Sequence, residues 1–265
     1  MAHAAGCGER TRNRDHPIYT LVIHSGMSLF DKEGKSGMKL NFAAALLVGS
    51  GALALGIAAP ARATSDNQVW TNLNVTVKLS DHWRLQEEGT GRFSDNRHGL
   101  YEVESNTLLG YRLNKVVTVW GGYTHNPQYA SGHFTTMEHR AREQVTFDGF
   151  AMLGKGKFNG RIRAEQRWRE HVDGTGWRVR PYLKYSLPIA GKTALNLSAE
   201  PFFNLNTTPF QRKTGLDRMR NLITISTPLT KTLGVEAGYM NQHGFVRGGP
   251  DTSDNVAYFG LALNL

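Results

Sequence analysis

Arginine alternates with other residue types between residues 161 and 171, in the segment RIRAEQRWREH. Charged side chains occupy five alternate positions, namely Arg161, Arg163, Glu165, Arg167 and Arg169. Ile162, Ala164 and Trp168 lie between them. This period of two predicts a β-strand, because successive side chains leave a strand on opposite faces. If the arginine face lines a pore, that pore favours anions.

A strand with two unlike faces fits two classes of sheet. A soluble sheet buries its apolar face in a core and exposes the other face to water. A membrane barrel does the reverse, with apolar side chains against lipid and polar side chains directed into a lumen. The rest of the chain has to distinguish between them.

The N-terminal quarter predicts export. Residues 38–63 contain a short basic start at Lys39, an apolar run and a final Ala-Arg-Ala, which is the pattern of a cleavable signal peptide. Residues 1–37 precede it and contain the one cysteine of the chain, Cys7. We interpret residues 1–37 as an upstream extension of a protein whose translation begins at Met38.

Residues 64–265 form the predicted mature region, with 24 of the 31 basic and 18 of the 22 acidic residues and a net charge of +6. This region has no cysteine, so disulfides cannot stabilise it. An arginine-rich chain also suggests nucleic-acid binding. We exclude that partner because the arginines alternate with apolar residues and the chain is predicted to be exported.

Alternation recurs along the whole mature region. Apolar side chains share one face in segments that begin near Val69, Val179 and Leu195 and in the last strand from Ala257 to Leu265. Nine to eleven tilted residues suffice for a strand to cross a membrane. Several aromatic residues lie near the predicted strand ends, as expected for interfacial girdles: Trp83, Tyr111, Tyr123, Trp177 and Tyr185.

Short and long connections alternate. Short turns follow five leucines: Leu79, Leu113, Leu153, Leu187 and Leu229. Longer polar connections are predicted at 94–99, 125–136, 172–176, 205–215 and 246–254. Outer-membrane barrels have this asymmetry.

The prediction is therefore an all-β fold, a transmembrane antiparallel up-and-down β-barrel of 10 to 12 strands, preceded by a cleavable signal peptide. Counting the pattern gives eleven strands, so either one assignment is wrong or the N-terminal segment threads the lumen, since bacterial barrels have even numbers.

Five ordered segments resemble a known bacterial family: VWTNLNVTVKLSDHWRLQEEGTGRF, LLGYRLNKVVTVWGGY, EHRAREQ, RIRAEQRW and EPFFNLN. Together they are similar to the family catalogued as domain of unknown function 2490, across essentially the whole mature region. The resemblance implies an outer-membrane β-barrel with no established activity.

The predicted lumen collects the charged side chains that oppose the apolar faces. The candidates are Glu138, Arg140, Arg142, Asp148, Arg161, Arg163, Glu165, Arg167, Arg169, Arg178, Arg180, Glu200, Arg218, Arg220 and Glu236. Arginines outnumber acids in this set. One interpretation is a narrow channel that prefers anions or acidic solutes. The other is a non-conducting barrel packed with ion pairs, because an unpaired charge in a confined lumen is costly.

An outer-membrane lipid hydrolase is a third, less favoured class, and we expect no enzyme. A serine and a histidine must lie in hydrogen-bond reach. Ser105 and His139 share the outward face, but on predicted strands that are not neighbours. No residue pattern indicates a metal or a cofactor.

The predicted location is the outer membrane of a Gram-negative bacterium. The partners implied are outer-membrane lipid, an anionic solute and the barrel-assembly machinery. Residues 257–265 resemble the terminal strand signal read by that machinery, although Leu265 stands where an aromatic residue is usual.

Overall fold

The structure, a computed structural model, describes residues 64–265. The predicted extension 1–37 and signal peptide 38–63 lie outside the described residues. Eleven strands form one closed barrel in chain order, as the sequence range of 10 to 12 allowed. They are β1 (Thr64–Lys78), β2 (Trp83–Ser94), β3 (Gly99–Arg112), β4 (Val117–Ala130), β5 (His133–Leu153), β6 (Gly156–Arg169), β7 (Val172–Ala190), β8 (Thr193–Asn204), β9 (Gly215–Pro228), β10 (Leu233–Gly244) and β11 (Thr252–Asn264). Within residues 64–265 no helix is long and apolar enough to cross a membrane.

The barrel closes through a parallel pair. β1 runs parallel to β11, from Thr64 opposite Thr252 to Thr76 opposite Asn264, whereas the other ten neighbouring pairs are antiparallel. The prediction of a fully antiparallel barrel is therefore wrong at this seam. The reason is geometric, because in an up-and-down chain of odd strand number the first and last strands point the same way. β1 forms part of the wall, so the alternative in which it threads the lumen is also wrong.

The fold is apolar outside and polar inside. Within residues 64–265, twenty-eight polar or charged residues are buried, against eight hydrophobic ones. Large apolar side chains such as Leu73, Ile162, Ile225 and Phe259 are about half exposed on the outer surface. The alternation of each strand produces this arrangement, since side chains of one parity reach the lumen and those of the other leave the wall.

Two predicted long loops are strands instead. β4 and β5 continue to a two-residue turn at Ser131 and Gly132, and β7 begins at Val172. Ser131 and Gly132 both have positive φ, which suits a tight hairpin turn. The polar composition of 125–136 and 172–176 was misleading because a hairpin that extends beyond an apolar band also has polar side chains.

Asp148 departs from the lumen prediction. A register shift in the β5–β6 pairing falls between Phe147 and Ala151, and Gly149 within it has a φ of 58°. Asp148 is exposed at this irregularity. Residues 148–150 of β5 face the single residue 159 of β6 there, so the regular pleat is interrupted and Asp148 does not follow the parity counted along the sequence.

Candidate functional site: an arginine-rich lumen

The remaining lumen candidates lie on the inner face of the barrel. Ten of them have buried side chains and four others are partly buried at the cavity walls. The buried ones include Glu138, Arg140, Arg142, Arg163, Glu165, Arg167, Arg178, Arg180, Glu200 and Arg220. Arg161, Arg169, Arg218 and Glu236 line the cavities beside them. Six consecutive wall strands, β5 to β10, therefore contribute charge to one interior.

 The ten buried candidates are seven arginines and three glutamates.

Glu138 holds three arginines on the long-loop side of the lumen. Its carboxylate accepts hydrogen bonds from Arg140 Nε at 2.7 Å, Arg167 Nε at 2.9 Å and Arg169 Nε at 2.7 Å. The Glu138 side chain is fully buried. Charge-assisted hydrogen bonds to a desolvated carboxylate are stronger than neutral ones, so this cluster of ion pairs holds β5 and β6 together.

Glu165 and Glu200 form the next layer. Glu165 accepts from Arg178 Nε at 2.8 Å and Arg180 Nη1 at 2.8 Å. Arg180 Nη2 also donates to Glu200 at 3.0 Å, and Arg161 pairs with the same Glu200 carboxylate. β6, β7 and β8 are joined by these contacts.

Two ion pairs cross the lumen rather than follow the wall. The carboxylate of Glu88 on β2 accepts a hydrogen bond from Arg142 Nη2 of β5 at 3.1 Å and lies 3.8 Å from Arg163 Nη2 of β6. Arg140 of β5 similarly reaches Glu104 of β3 at 3.0 Å, which also binds Arg92 of β2 at 3.0 Å. These contacts extend a layer of charge from one wall to another.

Aromatic rings complete the layer. Trp70 of β1 contacts the guanidinium groups of Arg92 and Arg220, which are 4.2 and 4.6 Å from its ring centre. Phe202 of β8 is buried, and Arg180 lies 4.2 Å from its ring centre. Cation–π contacts of this kind favour a desolvated guanidinium in addition to its carboxylate partners.

The layer separates two cavities. A cavity of about 580 Å³ lies towards the short turns and one of about 690 Å³ towards the longer loops. Four side chains line both cavities and therefore mark the partition: Arg92, Glu104, Arg180 and Arg220. Twelve basic and five acidic residues line the long-loop cavity, and seven basic and four acidic residues line the other.

The β8–β9 loop closes part of the long-loop mouth. Gln211 is buried there, and its amide nitrogen donates to the carbonyl oxygens of Trp177 and Asn206 at 3.1 and 2.9 Å. Arg167 Nη1 donates to the Gln211 side-chain oxygen at 3.1 Å. Phe210 lies beneath Arg167 and Arg169, with cation–ring distances of 5.7 and 5.1 Å.

The β10–β11 loop at the same end is held by Asp251. Its carboxylate accepts the Val246 backbone N–H at 2.8 Å and lies 3.1 Å from His243 Nε2. The hydrogen bond from Val246 is the main cause that lowers the pKa of Asp251, and the contact with His243 adds to it.

Sequence reasoning missed the lumen residues of β1 to β3. Glu88, Arg92, Glu102 and Glu104 provide carboxylates and a guanidinium to the layer, and Trp70 provides its ring. The alternation in RLQEEGTGRF contained the signal, since Glu88 and Arg92 have the parity opposite to Leu85 and Phe93.

A serine and a histidine do come together on the outer face, against expectation. Ser105 pairs with His125 across β3 and β4, and His125 pairs with His139 across β4 and β5. The Ser105 hydroxyl donates to Glu87 at 2.7 Å, however, and not to a histidine. The described residues thus contain no formed nucleophile–base hydrogen bond at this place. They also contain no cluster of three or more His, Cys, Asp or Glu suited to a metal ion.

Comparison with known proteins assigns the chain to a family. The family model described as protein of unknown function, DUF2490, matches residues 67–254. The chain belongs to this family. The match spans β1 to the start of β11 and includes every lumen residue named above.

A relative of this DUF2490 protein is an uncharacterized protein of Methylorubrum extorquens. The two are 25% identical over 217 residues, which covers 80% of this chain and 92% of the relative. No solved structure matches the chain significantly. The family assignment therefore agrees with the resemblance found in the sequence and adds no activity to it.

Proposed function

We propose that this DUF2490 protein is an outer-membrane β-barrel that binds anionic solutes in its lumen, with the central ion-pair layer restricting passage between its two cavities. The single observation that carries the proposal is the charge imbalance of the interior. Among the buried residues of the described range 64–265 there are eight arginines and four glutamates, with no lysine or aspartate. An interior with more buried cations than anions favours anionic ligands, because uncompensated buried charge is costly.

The surface of the barrel supports the membrane part of the proposal. Isoleucine, leucine and phenylalanine project from the outer wall, while the polar groups point inward. A closed barrel leaves no unpaired strand edge, which is what a strand protein in lipid requires. We further propose export by the signal peptide 38–63 to a Gram-negative outer membrane, with recognition of residues 257–265 by the barrel-assembly machinery.

The ion-pair layer supports restricted passage. Side chains of β2, β3, β5 and β6 meet across the lumen through Glu88 and Glu104. Small barrels are filled by their own side chains, and an eleven-strand barrel lies close to that regime. We therefore expect the resting protein to conduct ions poorly.

The test is conductance of refolded residues 64–265 in a planar bilayer under a salt gradient. The wild type should give no sustained steps. The double substitution Arg180→Ala/Glu200→Ala removes one of the partition residues together with its carboxylate partner. It should produce discrete steps with an anion-selective reversal potential. The matched control is Lys184→Ala/Glu236→Ala, which removes one base and one acid from the wall of the short-turn cavity.

Two results would contradict the proposal. Cation-selective steps in either protein would show that the arginine excess does not set the field of the lumen. Equal opening by the control double variant would show that the partition at Arg180 is not what restricts passage.

A narrow anion-preferring channel is the second candidate. The observation in its favour is that four residues line both cavities, so the layer is about one side chain thick. Anion-selective steps from the wild type would select this candidate. In that case Arg163→Glu/Arg180→Glu should shift the reversal potential towards cations.

The lack of an enzymatic activity stays a prediction. The outer-face pairing of Ser105 and His125 keeps a lipid hydrolase as the least supported class, because the serine hydroxyl is engaged by Glu87. Covalent labelling of Ser105 by a fluorophosphonate would be the observation in its favour.

A further inference from the structure

The two parts of the lumen differ in how the N–H groups of their arginines are hydrogen-bonded. Around Glu138 every arginine has a carboxylate partner at 2.7 to 3.0 Å. On the short-turn side of the layer, buried N–H groups of three arginines have no acceptor among the described residues. They are Arg142 Nε and Nη1, Arg161 Nε and Arg163 Nη2.

These three arginines lie close together. Arg142 Nη2 and Arg163 Nη2 are 3.1 and 3.8 Å from the same oxygen of Glu88. Arg161 and Arg163 line the 580 Å³ cavity, and the fully buried Arg142 lies behind them in the adjacent strand. The second acid near Arg163 is Glu165, at 4.0 Å, and its carboxylate is already engaged by Arg178 and Arg180.

The position of the guanidinium groups is fixed by neighbouring side chains. Arg163 Nε donates to Gln144 at 2.9 Å. The Arg161 guanidinium lies 4.9 Å from the ring centre of Tyr182 and pairs with Glu200. Donors that are held in place lose little freedom when a ligand binds, so such a site is preorganised.

We propose that Arg142, Arg161 and Arg163 form an oxyanion subsite at the inner end of the short-turn cavity. It would bind the phosphate, sulfate or carboxylate group of a small solute. Planar guanidinium donors match the two or more oxygens of such a group. A bound oxyanion would also satisfy N–H groups whose burial without an acceptor is unfavourable. The subsite rests on the proposed anion-binding lumen and names the chemistry of its ligand.

The rest of the cavity indicates a hydroxylated carrier for this group. Amide and hydroxyl side chains from five strands line it, namely Asn72, Asn74, Thr90, Asn106, Ser198 and Ser226. A volume of about 580 Å³ is within the range of small-molecule sites and exceeds what a single phosphate fills. A sugar phosphate or an acidic sugar has both parts, an oxyanion and several hydroxyls.

The experiment is titration calorimetry of refolded residues 64–265 in a zwitterionic detergent, with inorganic phosphate and with a hexose phosphate at constant ionic strength. Arg163→Gln and Arg142→Gln should each weaken phosphate binding at least tenfold. The matched control is Arg169→Gln, which alters an arginine of the long-loop cavity and should change the dissociation constant less than twofold. The hexose phosphate should bind more tightly than phosphate if the polar wall contacts its carrier.

Folding of each variant is checked by its heat-modifiable migration on a denaturing gel. Arg163→Lys is the second variant, because it keeps the charge and removes the planar fork. It should retain part of the affinity that Arg163→Gln loses.

The outcomes separate the subsite from the proposed function. Phosphate binding that Arg169→Gln abolishes and Arg163→Gln leaves intact would overturn the subsite and keep an anion-binding lumen. No phosphate or hexose phosphate binding to the folded wild type would overturn both. A hexose phosphate that binds no more tightly than phosphate would overturn the assignment of a hydroxylated carrier.

Discussion

At the scale of single residues, Glu138 carries the strongest consequence. Its buried carboxylate binds three arginines, so Glu138→Gln would leave those cations without their common partner. Removal of one partner from a buried ion pair costs about 3–5 kcal/mol. We expect Glu138→Gln to lower the free energy of unfolding by that amount, measured by urea titration of the refolded barrel in detergent micelles.

Glu236→Gln is the control for this prediction. Glu236 also lies on the lumen wall, but it accepts hydrogen bonds from the neutral groups Thr224 and Asn196. An amide oxygen can replace the carboxylate oxygen there, so stability should change by less than about 1 kcal/mol. Equal effects of the two substitutions would mean that the arginine cluster does not depend on the charge of Glu138.

At the scale of structural elements, the β8–β9 loop is held over the lumen by one amide side chain. Gln211→Ala removes the hydrogen bonds to Arg167, Trp177 and Asn206. A loss of about 1–2 kcal/mol in closure raises the open population of the loop about tenfold. We expect trypsin to cleave after Arg212 and Lys213 about tenfold faster, as followed by mass spectrometry.

Thr207→Ala is the matched variant in the same loop, since Thr207 is exposed. Its cleavage rate should equal that of the wild type. Unchanged cleavage of Gln211→Ala would contradict the role of this side chain in closing the loop.

Strand alternation made most of the wall predictable from the sequence. The segment RIRAEQRWREH correctly predicted which residues of β6 face the lumen and which face outward, because its period of two is unbroken from Arg161 to Arg169. The same reasoning failed at Asp148, where an irregular pairing interrupts the pleat. It also failed at 125–136, because a hairpin in water and a loop have similar polar composition.

At the scale of the whole molecule, contacts across the lumen could not be predicted from local pattern. Arg142 and Glu88 are 54 residues apart, and the pairing depends on how many strands separate them around the barrel. Whether the first and last strands pair in parallel likewise depends on the strand count. Local alternation predicted that count only as a range of 10 to 12. The partition between the two cavities therefore had no signature in any one segment.

The parallel seam predicts that Thr64 lies at the end of the barrel opposite to the short turns. Thr64 pairs with Thr252, next to the β10–β11 loop, and Asn264 at the other end pairs with Thr76. Epitope tags placed before Thr64 and at Gly248 should therefore be accessible from the same side of the membrane. A tag at Asn114, in the turn between β3 and β4, should be accessible from the opposite side. Antibody binding to intact and permeabilised cells measures this, and it does not depend on which side is outside. If the tag before Thr64 shared the side of Asn114, β1 would not close the barrel in parallel, and the eleven-strand wall would have to be replaced by a ten-strand one.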